Sequence, residues 1–167
     1  MSEAKKSSPT SEMVGDFELT RFTPYRIVAL GHAISRKLSQ TYHDENITIP
    51  EWRVLAVISQ ADEMAARDVV AKTPMDKMAV SRASASLEEK GFVIRETSAD
   101  DKRVTMLSLS VTGRKLFDRI AALASAYESE LLSCLNEKEV ELFDQTMSKL
   151  EARAAVTPLS IVDEDES

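Results

Sequence analysis

A chain of 167 residues has room for one domain with a genuine core and little room for a second. Hydrophobic residues make up 43% and aromatic residues 5%, with four glycines and five prolines, which suits a helix-rich globular protein and excludes a disordered chain or an all-β sandwich. The net charge of −7 speaks against nucleic acid only as an average. Residues 1–66 carry 7 Lys+Arg against 9 Asp+Glu, residues 67–115 carry 10 against 7, and residues 116–167 carry 4 against 12. The middle third is the positive one, and phosphate affinity depends on local charge.

No apolar run approaches the roughly 20 residues of a membrane span, and the N-terminus has no apolar signal core, so a cytoplasmic protein is expected with no membrane partner. The single cysteine, Cys134, has no internal disulfide partner and fits a reducing compartment.

In chain order, residues 1–16 are polar and aperiodic and read as a disordered tail. Thr23-Pro24 reads as an N-cap followed by proline at the first helical position, where its missing N–H costs nothing. Ile27, Leu30, Ile34, Leu38 and Thr41 then recur at helical spacing, and this helix is expected to end between Tyr42 and Asn46. Ile49-Pro50-Glu51 starts a second helix whose Trp52, Leu55, Ala56 and Ile58 face inward.

A short helical pattern over Ala65–Lys72 breaks at Thr73-Pro74-Met75, and a second runs from Asp76 to Lys90, stopped by Gly91. Val69, Val70, Met75, Val80, Ala83 and Leu87 supply the apolar or small positions that two closely meeting helices need. Two β-branched, alternating runs follow, Phe92–Thr97 and Val104–Leu109, around the polar tip Ser98–Arg103. Phe92 and Ile94 share one strand face, as do Thr105, Leu107 and Leu109.

Ser110 caps a long helix expected to carry Val111, Leu116, Ile120, Leu123, Tyr127, Leu131 and Leu135 on one apolar stripe. Asn136-Glu-Lys-Glu139 has the form of a capping box. A last helix places Val140, Phe143, Met147, Leu150 and Ala154 on one stripe, and an acidic tail closes the chain.

The fold class is therefore mainly α (α+β): a winged helix-turn-helix with N- and C-terminal dimerisation helices. Its segments are a tail (1–16), an N-terminal dimerisation helix (17–46), a DNA-binding lobe (47–112), C-terminal dimerisation helices (113–156) and an acidic tail (157–167). The core of such a lobe needs about three helices, so the spare amphipathic helices at both ends can cover one another in a two-fold homodimer. The alternative is a monomer in which they cap the core.

On the second helix of the pair, Asp76, Lys77, Met78, Ser81, Arg82 and Ala85 are the candidate DNA-reading residues. Arg and Lys suit guanine edges or phosphates, and small residues permit close approach to the groove. At the hairpin tip, Asp101, Lys102 and Arg103 are the candidate wing contacts. A guanidinium there can enter a narrow, electronegative minor groove, with a carboxylate two residues away to hold it. An ordinary charged hairpin tip would look similar.

Together these residues resemble the MarR family of bacterial regulators. The resemblance rests on Met75-Asp-Lys-Met-Ala-Val-Ser-Arg82, Leu87-Glu-Glu-Lys-Gly-Phe-Val93 and Asp101-Lys-Arg103 followed by Leu107-Ser-Leu-Ser-Val-Thr-Gly113. It extends through Ile49–Arg53 and Thr23–Arg26, over about residues 20–152. Val70 departs from the alanine usual at its position, and Pro74 from a common glycine.

The resemblance implies an obligate dimer on double-stranded DNA, with recognition helices in successive major grooves and Arg103 in a flanking minor groove, oriented by Asp101. It also implies a repressor of a neighbouring operon, released by a small, often aromatic, anion. The residues placed to line an effector crevice are Tyr25, Arg26, His32, Trp52 and Arg53, although Trp52 also suits the core and Arg26 a surface salt bridge.

Other chemistry finds little support. His32 and His43 lie eleven apart without a cysteine or carboxylate pattern, so no metal or other cofactor is expected. No phosphate loop, nucleophile triad or paired carboxylate suggests an enzyme. Cys134 is expected to be a buried small residue and not an oxidant sensor. A winged-helix protein-interaction module, or an activator without a small-molecule ligand, remains the alternative.

Overall fold

The computed structural model describes residues 17–156; the expected disordered and acidic tails, 1–16 and 157–167, lie outside the described residues. Among the described residues the first regular element is a 3-10 turn, Leu19–Arg21, followed by α1 (Thr23–Thr41). The N-cap of α1 is Phe22 and not Thr23, and no side chain caps it. Thr23 occupies the first helical position because Pro24, lacking an N–H, already relieves one of the orphan donors there. Only the second half of α1 meets the core, through the half-buried Leu38.

A connector carries the chain through Tyr42, a 3-10 turn over His43–Glu45 and the left-handed Asn46 (φ 54°) into α2 (Ile49–Ile58). Asparagine tolerates that conformation better than other β-carbon residues. Thr48 and Glu51 form a reciprocal capping box at the start of α2. This helix supplies the centre of the core: Val54, Leu55 and Ile58 are fully buried.

Strand β1 (Met64–Ala65), α3 (Ala66–Ala71) and α4 (Lys77–Glu89) follow. The expected interhelical set holds: Val69, Val80, Ala83 and Leu87 are buried, with Val70 and Met75 packed against them. Gly91, at φ 74°, turns the chain out of α4 in a conformation that favours glycine.

β2 (Val93–Thr97) and β3 (Thr105–Leu109) pair antiparallel, and β1 joins on the other edge of β3 in the order β1-β3-β2. The inward face of β2 differs from the expectation. Val93 is buried and Ile94 is 44% exposed, because the register sets Val93 opposite Leu109 and Arg95 opposite Leu107. Period-2 alternation then points Ile94 to the outside. The short β1 has no counterpart in the sequence reading; two residues carry no period.

α5 (Val111–Leu132) starts at Ser110, whose Oγ accepts the Gly113 N–H at 2.9 Å, and buries Leu116 and Ile120. The described chain forms two compact units, one through Ala124 and one from Ser125. The second holds the end of α5 and α6 (Glu137–Val156). The Asn136 box closes as expected, with Asn136 N–H donating to Glu139 Oε2 at 2.8 Å and Glu139 N–H to Asn136 Oδ1 at 3.1 Å. No residue of α6 is buried. Cys134 is exposed, contrary to expectation, because it falls in the turn between α5 and α6 and not on an inward stripe.

Candidate nucleic-acid interface

The exposed face of α4 is set by its cap and its spacing. Asp76 Oδ1 accepts the Ala79 N–H at 2.7 Å, which starts the helix and commits that carboxylate to the backbone. Met78, Ser81, Arg82 and Ala85 are all exposed and follow one another at three- and four-residue steps, so they share a face, with Lys77 exposed at its leading end. Val80, Ala83, Ser84 and Leu87 occupy the opposite, buried face. Ser84 Oγ donates back to the Val80 carbonyl at 2.8 Å, so its burial leaves no unpaired hydroxyl.

Beyond β2 the tip is shaped by local hydrogen bonds. Ser98 Oγ receives the N–H groups of Asp100 and Asp101, and Val104 N–H donates to the Asp101 carbonyl at 2.9 Å. Asp101 Oδ1 accepts the Arg103 backbone N–H at 2.9 Å. The carboxylate therefore fixes the backbone under Arg103, where the sequence suggested that it would hold the guanidinium. Lys102 and Arg103 are both exposed.

A crevice of about 570 Å³ runs between α4 and the wing. It gathers Arg67 of α3, Lys77 and Ser81 of α4, Arg95 of β2, and Asp101 and Arg103 of the tip. Arg67 and Arg95 were not singled out in the sequence. Nothing in their local pattern marks them, since they converge with Lys77 and Arg103 only in three dimensions. Arg95 also pairs with Glu88 of α4 at 3.3 Å, tying the wing to the trailing half of that helix.

Lys90, just past α4, donates to Glu51 Oε1 at 2.8 Å and to the Asn46 carbonyl at 2.7 Å. Glu51 is 2% exposed, and its other oxygen accepts the Thr48 N–H and hydroxyl. Burial pushes the Glu51 carboxyl up, but Lys90, Ser86 and Thr48 outweigh it and leave its pKa below the ordinary value.

The five effector-crevice candidates separate into two groups. Tyr25, Arg26 and His32 are exposed along α1. Trp52 is half-buried, stacked on Phe117 at 5.8 Å and tilted against Tyr42 at 6.0 Å, and Arg53 reaches Ser35 of α1 at 3.4 Å. Burial pushes the Tyr42 hydroxyl pKa up, with the charge of Arg53 opposing it. None of the five lines the crevice beside the wing.

Two helices meeting at a tight turn, followed by a hairpin whose cations face the second helix, define a winged helix-turn-helix of the DNA-binding kind. The MarR family model matches residues 47–105, the stretch from the start of α2 to the start of β3. The chain is 26% identical to a MarR/EmrR family transcriptional regulator from Acinetobacter sp. ADP1 of known structure, with a TM-score of 0.76 over 84% of this chain and 100% of that one. An Escherichia coli MarR mutant complexed with operator DNA has the same fold, at 23% identity and a TM-score of 0.70 over 86% and 99%.

Among curated relatives, the HTH-type transcriptional regulator YdgJ of Bacillus subtilis is 27% identical over 97 residues. That match spans 58% of this chain and 59% of the relative's length. Over the stretch that the family model matches, and in fold, the chain is similar to the MarR family of transcription regulators. No helix among the described residues is long and apolar enough to cross a membrane.

Proposed function

We propose that this chain is a homodimeric repressor that binds a palindromic DNA operator and lets go when a small effector binds. The observation that carries the reading is the convergence of Arg67, Lys77, Arg95 and Arg103 on one crevice beside the exposed face of α4, in a chain whose net charge is −7. Such local positive charge on an acidic protein is the footprint of a phosphate-binding surface. In this reading α4 lies in the major groove, with Lys77, Ser81 and Arg82 addressing base edges and phosphates. Arg103 enters the adjacent minor groove from a tip that Asp101 has stiffened. The E. coli relative bound to operator DNA supports the same use of the fold.

Exposed apolar side chains support the dimer. Val28 and Leu30 on α1 and Leu142 and Phe143 on α6 are each close to half exposed or more. Stripes of this kind on two helices call for a covering surface, and a two-fold partner is the commonest one. The effector is assigned to the region of Tyr25, Arg26, His32, Trp52 and Arg53, where an aromatic ring can stack and a guanidinium can receive an anion.

The experiment is selection of duplexes by the protein from a random-sequence pool, followed by titration of the enriched duplex at several salt concentrations. A two-fold symmetric site bound with steep salt dependence is expected. Enrichment of no sequence would remove the operator reading in favour of a protein-interaction module.

A further inference from the structure

The recognition helix packs on α2 and α3 through apolar side chains. Such contacts are non-directional and resist sliding weakly compared with hydrogen bonds of fixed geometry. Directional contacts concentrate at its trailing end. The Lys90 ammonium bridges the Asn46 carbonyl at 2.7 Å and Glu51 Oε1 at 2.8 Å. Asn46 is held in a left-handed turn, and its neighbour Glu45 receives a two-pronged contact from Arg119 of α5, Nε to Oε1 at 2.9 Å and Nη2 to Oε2 at 2.8 Å. One polar strap thus runs from α5 through the connector to the end of α4 and the start of α2.

The chemistry of the strap exceeds what stability asks of it. A buried ion pair is commonly replaceable by apolar residues with no loss of stability, whereas removing one partner alone is costly. What Lys90 and Glu51 supply that an apolar pair would not is a fixed direction.

We infer that Lys90 is a positioning residue for DNA recognition: its ammonium fixes the register of α4 against α2, and the Glu45–Arg119 contact ties that register to α5. The inference rests on the reading of α4 as the helix that enters the major groove. Lys90 acts from the side of the helix end that faces the connector, through the placement of Ser81 and Arg82, and makes no phosphate contact of its own.

The test uses the full chain and the duplex that the unaltered protein enriches. Lys90→Met should weaken binding between about 3- and 30-fold without changing the slope of affinity against salt. The pair Lys90→Met with Glu51→Gln, which removes both charges and keeps an acceptor for the Thr48 N–H and hydroxyl, should recover most of the urea midpoint and remain weak on DNA. Arg119→Met, at an exposed contact, should keep the midpoint and show a smaller loss in the same direction.

The inference is overturned if the double variant regains affinity together with stability, if Arg119→Met binds unchanged, or if Lys90→Met lowers the salt slope by about one, the mark of a direct phosphate contact. Should the unaltered protein enrich no duplex, the DNA reading itself fails. Full binding by the unaltered protein and by every variant removes only the positioning role.

Discussion

Arg103 has its backbone held by Asp101 and its side chain exposed, so its removal should subtract a contact and leave the fold intact. Arg103→Ala is expected to lower affinity for the selected duplex by roughly ten- to a hundredfold, read by salt-controlled titration, with an unchanged urea midpoint. Asp76 makes the contrasting case. Its carboxylate is already used on the Ala79 N–H, and Asp76→Ala should cost about 0.5–2 kcal/mol of stability in urea unfolding.

How well single residues could be read depended on whether their partners were near in sequence. The Asn136–Glu139 box is spelled within four residues and closes as written. The Thr48–Glu51 box is spelled just as locally, with Pro50 as a second start signal between its members. Arg67 and Arg95 join the interface only through the fold, and the exposure of Cys134 depended on where α5 stops.

At the scale of elements, the start of α5 lies close against the backbone that leads into the hairpin. A β-carbon on Gly113 would stand 1.9 Å from the Phe92 carbonyl oxygen, a backbone atom that has no rotamer to yield. Ser110 and Thr112 both donate to the Gly91 carbonyl beside it, at 2.7 and 2.9 Å. Gly113→Ala should therefore destabilise the protein by about 1–3 kcal/mol or more, seen as a lowered urea midpoint.

The α2–α4 link adds a pH dependence. Glu51 has a folded pKa below its ordinary value, so its contribution is present above pH 4.5 and fades as pH falls through the lower folded value. Acid titration of Glu51→Gln should lack that component; the same acid sensitivity in the variant would assign it elsewhere.

Helices of ten residues or more were legible from period and punctuation, as Gly91 and Pro74 show. The two-residue β1 was not, having no period, and the outward turn of Ile94 followed from a cross-strand register that one strand cannot specify. The N-cap of α1 slipped by one residue because Thr23 looks like a cap and Pro24 makes one unnecessary.

The whole molecule combines an acidic chain, a locally basic lobe and terminal helices with exposed apolar side chains. Phe143→Asp should shift the protein from dimer to monomer in sedimentation and abolish cooperative occupation of the two half-sites. Trp52 is the chain's single tryptophan and lies among the effector candidates, so an effector seated there should change its fluorescence and weaken the DNA complex in parallel. A ligand that releases DNA without any change at Trp52 would place the effector elsewhere.

The central claim is that a locally positive winged helix-turn-helix makes this acidic chain a sequence-specific DNA reader. Titration of the duplex selected by the protein, across a range of salt, for the unaltered chain beside Arg103→Ala tests it most directly. The account predicts affinity falling steeply with salt for the unaltered protein, and a weaker complex with a shallower slope for the variant. Equal affinity and equal slope in the two proteins would contradict it.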